Sequence, residues 1–299
     1  RNNAGCFAEI VPSCGGALHA FGSVKDGATL NVIDHYASAK EFQEHVEDLG
    51  HKSCKLSPFV CRMKDGKYTF GEYDYKIENG YGPHALHGLI YRKAFSVVSK
   101  NAGGESASVQ MQYHYDKEDP GFPFVYTMVI SYKLLTDCRL RITTTVTNHS
   151  VGLMPLQDGW HPYFQLGGKI DDLELEFQSL KRIVFNEDLI PTGEKVKDQS
   201  FGSIRKIGDI KLDNCYELDT QECQPLCVLR NPSKGVEVQI FPEKSYPYLQ
   251  LYTPGHRRSI AIENISGPPN GFNLDWGHQI LESGDVAKFE TTFKIHFLN

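Results

Sequence analysis

Strict alternation of apolar and polar residues constrains this chain more than any other feature. Val109, Met111, Tyr113 and Tyr115 interleave with Gln110, Gln112 and His114, and Leu140, Ile142, Thr144 and Val146 with Arg141, Thr143 and Thr145. Side chains two apart share one face of a strand, so such runs predict strands with one face buried and the other wet. The same period recurs in Leu173-Leu175-Phe177, Val236-Val238-Ile240, Leu249-Leu251, Ile260-Ile262 and Phe289-Thr291-Phe293-Ile295-Phe297. From Phe124 to Leu134 much of both phases is apolar, which predicts burial on two sides. Residues 5–33 read as short strands broken at Gly15-Gly16 and Gly22. One helix signal interrupts the strands. Ser38-Ala39-Lys40-Glu41 has capping-box form, Phe42, Val46 and Leu49 share a face, and Gly50 is the expected stop.

No strand–helix alternation, fixed-length repeat or Pro/Gly/Ser linker is present. The expectation is therefore an all-β protein: one large antiparallel β-sandwich with few short helices, a single domain over residues 1–299. The formal net charge is −6 and no basic run occurs, which argues against nucleic acid or a membrane as partner and suits a neutral small molecule. No apolar run is long enough to span a bilayer. A monomer or homodimer is expected. Eight cysteines fall at 6, 14, 54, 61, 138, 215, 223 and 227, with no C-x-x-C pair and no repeated spacing. Reduced thiols in a cytoplasmic protein are the expectation. Cys223 and Cys227 have no second ligand pair nearby, so no metal is expected.

Candidate chemistry sits beside turn-forming or small residues. His161 lies in Gly159-Trp160-His161-Pro162-Tyr163-Phe164, where Pro162 stiffens the chain and the aromatic rings offer faces for the C–H side of a sugar. His84-Ala85-Leu86-His87-Gly88 leads to Arg92, and Asp213 precedes Asn214-Cys215-Tyr216. Glu263 reads as the end of a strand before Ser266-Gly267-Pro268-Pro269-Asn270. Each has an ordinary alternative: a turn cap for His87, an Asx turn for Asp213, a surface glutamate for Glu263, a solvated charge for Arg62. Phosphate-loop, dinucleotide, H-E-x-x-H and G-x-S-x-G motifs do not occur.

Taken together, these stretches resemble the aldose 1-epimerase (galactose mutarotase) family. The matching blocks are Pro58-Phe59-Val60-Cys61-Arg62, Leu86-His87-Gly88-Leu89-Ile90-Tyr91-Arg92, His161-Pro162-Tyr163-Phe164-Gln165-Leu166, Pro191-Thr192-Gly193-Glu194, Asp213-Asn214-Cys215-Tyr216, and Ala261-Ile262-Glu263 leading to Asn270-Gly271-Phe272-Asn273. The His-Pro-Tyr-Phe block and the C-terminal block are the specific ones. The resemblance implies a galactose mutarotase-like sandwich, a neutral free hexose such as glucose or galactose as substrate, and no cofactor. It implies His161 as general acid, Glu263 as general base and His87 as the group that polarises the sugar. Arg62 and Asp213 would hold ring hydroxyls, and Trp160 is expected to bind substrate beside them. Where the family commonly has asparagine before the arginine, this chain has Cys61.

Anomer interconversion opens a hemiacetal. A base takes the C1 hydroxyl proton, an acid protonates the ring oxygen, and the aldehyde turns and recloses. Reference pKa values of about 4.3 for glutamate and about 6.5 for histidine predict an ionised Glu263 and a partly protonated His161. The alternatives are a non-catalytic sugar-binding module on this scaffold and a mutarotase for a hexose phosphate. The latter would need a basic cluster, for which Lys181-Arg182 and Arg257-Arg258 are the candidates in the later strands.

Overall fold

The computed structural model describes residues 1–2, 5–25, 27–78 and 80–298. Two large antiparallel sheets dominate it. One has nine strands in the order Ser96–Ala102, Ser106–Asp116, Val125–Leu135, Arg139–Asn148, Val286–Phe297, Val236–Pro242, Cys227–Asn231, Glu174–Phe177 and Arg205–Lys206. The other has eight, in the order Pro191–Lys197, Ser179–Phe185, Asp213–Leu218, Tyr248–Tyr252, Ile260–Ile265, Gly159–Trp160 and Lys55–Leu56, with Tyr163–Phe164 also pairing Ile260–Ile265. About 50% of the chain is strand and 7% helix.

The long strands form where the alternation predicts them, because each buries every second residue. In Arg139–Asn148 the side chains of Leu140, Ile142, Thr144 and Val146 go inward. Their neighbours on Val286–Phe297 do the same, and Phe293 meets Phe164 of the facing sheet edge to face at 5.3 Å. Polar residues also bridge the layers: buried Thr291 donates its hydroxyl to Asn264 Oδ1 at 2.8 Å. The strand Val125–Leu135 departs from expectation. Tyr126, Met128, Ile130, Tyr132 and Leu134 are buried, but the other phase is only half covered, so burial is one-sided.

Within the described residues there is one α-helix, Ala39–His45. Ser38 caps it, its hydroxyl accepting from the Glu41 N–H at 3.1 Å, while the Glu41 carboxylate accepts from Ala37 N–H. The helix stops before Gly50. Phe42 and Val46 are buried, but the chain has turned by Leu49, which is exposed. Among the described residues no helix is long and apolar enough to cross a membrane.

The expectation of reduced thiols throughout is corrected at one place. Cys6 and Cys138 are joined as a disulfide, a pairing across 132 residues that no local spacing could signal. Cys223 is exposed and Cys227 is buried in the strand Cys227–Asn231.

Candidate active site

Strand register brings His161 and Glu263 together. Gly159 pairs with Ile265 and Tyr163 with Ala261, so residue 161 stands opposite residue 263 in the gap between two short strands. Side chains opposite one another project from the same face. His161 Nε2 and Glu263 Oε1 lie 3.3 Å apart, both almost wholly buried. The main chain at His161 is pinned from the segment after the helix: its N–H donates to Cys54 O at 3.1 Å, and its carbonyl accepts from Ser53 N–H at 2.8 Å.

Glu263 is not at a strand end, as its approach to the Gly-Pro-Pro loop had suggested. Asn264 and Ile265 continue the strand, every residue of Ile260–Ile265 is buried, and Glu263 sits inside it. Across the sheet Glu263 faces Gln250, which in turn faces Cys215. Asp213, two residues before Cys215, shares that face and accepts from Gln250 Nε2 at 2.9 Å.

His87 and Arg62 arrive from separate short elements. The Cys61 carbonyl accepts from His87 N–H at 2.9 Å, and Arg62 pairs with Leu86. Cys61 and His87 both have left-handed backbones, with φ of 49° and 60°, a costly conformation for residues bearing a Cβ. Gly88 follows His87 at φ +81°, and a Cβ there would meet Ser57 O at 2.1 Å, so only glycine permits this close approach. The His87 ring meets that of His161 edge to face at 4.8 Å, and His51 packs on its other side at 4.7 Å.

These groups surround a cavity of about 290 Å³ that also takes in Tyr163, Phe185 and Tyr252. That size lies near the ~300 Å³ lower end of ligand pockets and suits a single sugar ring better than an oligosaccharide. Among the described residues, His161 Nδ1, His87 Nδ1, Glu263 Oε2 and Gln250 Oε1 are buried without a protein hydrogen-bond partner. Buried polar atoms rarely stay unpaired, so these four leave hydrogen-bonding capacity at the cavity wall.

Burial governs the protonation states. It holds the Glu263 carboxyl well above its ordinary range, reinforced by Asp213 and opposed by Arg62. It pulls His161 down to about 3 and His87 well below the usual imidazole value. Asp213 is raised by burial, with Arg62 and Gln250 opposing. The reference-value ordering therefore does not carry over to this site: burial shifts both groups towards their neutral forms.

The profile of the aldose 1-epimerase family matches residues 2–294. The chain belongs to the aldose 1-epimerase family. An aldose 1-epimerase from Streptococcus thermophilus is 23% identical over 332 residues, covering 98% of this chain and 92% of that protein. A galactose mutarotase-like protein from Clostridium acetobutylicum shares the fold with a TM-score of 0.88 at 20% identity, covering 99% of this chain and 94% of that one. An aldose epimerase homologue from Caenorhabditis elegans gives 0.86 at 20% identity, covering 100% and 98%. The aldose 1-epimerase fold thus places Arg62, His87, His161, Asp213 and Glu263 around one cavity.

Trp160 is not among them. Neighbours along an extended chain point to opposite faces, so with His161 facing the cavity the indole faces the core. It lies against Tyr132 at 5.8 Å, with the Lys55 ammonium 4.4 Å from its ring. Tyr163 does line the cavity, its ring stacked on that of His161 at 5.2 Å. Arg92 also lies outside, paired with Glu47 at 3.3 Å. The sequence reading passed over His51, Tyr252 and Gln250. Only Gln250 carried a usable signal, a polar residue set between Leu249 and Leu251 on the opposite phase.

Proposed function

We propose that this protein is a mutarotase, interconverting the α and β anomers of a free hexose such as glucose or galactose. The observation that carries the reading is the acid–base pair of His161 and Glu263, 3.3 Å apart at the wall of a cavity the size of a monosaccharide. Opening the ring moves one proton from the C1 hydroxyl to the Glu263 carboxylate and another from the His161 imidazolium to the ring oxygen. The pair thereby passes from carboxylate and imidazolium to carboxyl and imidazole. Burial favours the second state, which is the one that waits on the open-chain aldehyde. Closure on the other face of C1 runs the transfers backwards. The same two groups thus serve both directions, and no proton has to leave for solvent. Arg62 and Asp213 hold ring hydroxyls, and His87, kept neutral, hydrogen-bonds a sugar oxygen near the reacting centre.

A free sugar fits better than a phosphorylated one. Glu47, Asp48, Asp213 and Glu263 line the cavity with Arg62 as its basic member, and Arg182 and Arg257 are committed to Asp198 and Asp171. Polarimetry decides the matter. Freshly dissolved α-D-glucose and α-D-galactose should relax faster with protein than without. Failure with these sugars and with xylose and arabinose, alongside measurable sugar binding, would establish the non-catalytic module instead.

A further inference from the structure

We propose that Cys61, His87 and Glu263 form a binding site for a borderline-soft divalent cation, of which zinc is the natural example. The Cys61 sulfur, a ring nitrogen of His87 and a carboxylate oxygen of Glu263 lie within 4.8 Å of one another, and all three residues are buried. Tetrahedral zinc, with bonds of about 2.0 Å to N and O and about 2.3 Å to S, spaces its ligand atoms about 3.3–3.7 Å apart. Side-chain adjustments of about 1 Å or less per group would close that gap.

Two further observations point to a ligand here. His87 Nδ1 and Glu263 Oε2 are buried with no protein partner among the described residues, so each has a free position to give. The backbone also carries the donors in place: Cys61 and His87 sit in left-handed conformations locked by the hydrogen bond between them, while Glu263 projects from a central strand. The donor set selects the ion. Thiolate plus imidazole suits zinc or cobalt and not magnesium or calcium, which prefer all-oxygen shells. Charge agrees as well. One thiolate and one carboxylate neutralise a divalent cation, so the filled site adds no net charge to a buried place. Arg62 opposes the ion from nearby, and Asp213 offsets it. Binding releases the thiol proton and any proton held by the Glu263 carboxyl.

The consequence for turnover rests on the mutarotase reading. A cation on Glu263 removes the base and occupies the space of the sugar, so zinc acts as an inhibitor. Metal binding itself does not depend on that reading.

The test uses the full chain, freed of metal by dialysis against chelator and titrated with cobalt(II) chloride. One equivalent should produce a thiolate-to-cobalt charge-transfer band in the near ultraviolet together with the intense visible bands of four-coordinate cobalt. Cys61→Ser should lose the band and weaken binding by more than the roughly 10–100-fold that loss of a group merely hydrogen-bonded to a metal ligand costs. Cys223→Ser, at the exposed thiol, should change neither. A band that survives in Cys61→Ser, or vanishes in Cys223→Ser, overturns the site. Should Cys61→Ser fail to fold, zinc-edge X-ray absorption of the wild-type protein decides. One sulfur at about 2.3 Å beside N/O neighbours at about 2.0 Å supports the site, and a shell without sulfur refutes it. Polarimetry with zinc chloride then separates the two proposals. Cobalt binding at Cys61 in a protein that never accelerates anomerisation sinks the mutarotase and leaves the metal site standing.

Discussion

Two buried acid–base pairs flank one short stretch of chain, and their surroundings differ. Lys55 and Asp158 are both wholly buried and in direct contact. Asp158 Oδ1 also accepts from the Tyr246 hydroxyl at 2.6 Å, and the Lys55 ammonium donates to Gly159 O at 3.2 Å and lies over the Trp160 ring. Burial pulls Lys55 down to about 8 and pushes Asp158 up, each opposed by its partner. His161 and Glu263, a few residues along, are as deeply buried and likewise shifted towards neutrality. Each pair keeps a buried carboxyl oxygen without a protein partner, Asp158 Oδ2 and Glu263 Oε2, but of the two only His161 and Glu263 line the cavity. Burial, shifted pKa values and an unpaired oxygen are common to both pairs. What separates a candidate catalytic pair from a structural one is the space beside it that a ligand can enter.

The sharpest way to break the contrast is to neutralise one member of each pair. Glu263→Gln and His161→Asn should each cut the anomerisation rate by ~10²–10⁴-fold, the usual worth of a positioned proton-transfer group. Unfolding midpoints in urea should stay near wild type. Lys55→Met should do the reverse, costing about 3–5 kcal/mol of stability by stranding Asp158, with turnover per folded molecule little changed. If Lys55→Met lowers turnover as much as Glu263→Gln does, the division of labour is wrong. Tyr246→Phe probes the same network more gently and should cost about 1.5–3 kcal/mol, as for a hydrogen bond to a charged group.

The smallest changes concern pH. Burial holds His161 down at about 3. The profile of kcat/KM should then show no inflection at the ordinary imidazole value of about 6.5. Stability carries a sign as well. A carboxyl whose folded pKa lies above its unfolded 4.5 contributes stability below that value and loses it as pH rises towards the folded pKa. The amide of Glu263→Gln does not titrate, so its stability relative to wild type should rise between pH 5 and pH 8. Differential scanning calorimetry at the two pH values would show it, and a difference that stays flat would mean that the carboxyl is already ionised in the folded protein at pH 5.

The nine-stranded sheet was legible because its strands are long enough for the period of two to show over Arg139–Asn148 and Val286–Phe297. The eight-stranded sheet was far less so. Gly159–Trp160 and Tyr163–Phe164 are too short to display a period, and Pro162 interrupts them. That break hid the alternation that turns Trp160 into the core, and it is why an indole next to a candidate acid looked like a sugar platform. The site residues were found as motif blocks, while their convergence depends on pairings between strands distant in sequence. The Cys6–Cys138 bond escaped for the same reason. Leu49 failed for a local one: the helix ends at His45, and beyond it the helical period no longer says which way a side chain points.

The interrupted strand around Pro162 carries a consequence for how such a site can vary. Because the ladder to Ile260–Ile265 sets where the imidazole and the carboxyl meet, their separation is fixed by strand pairing. Arg62, His87 and Asp213 come from other pieces of the scaffold, so the lining they supply can shift while the His161–Glu263 spacing keeps its dimensions.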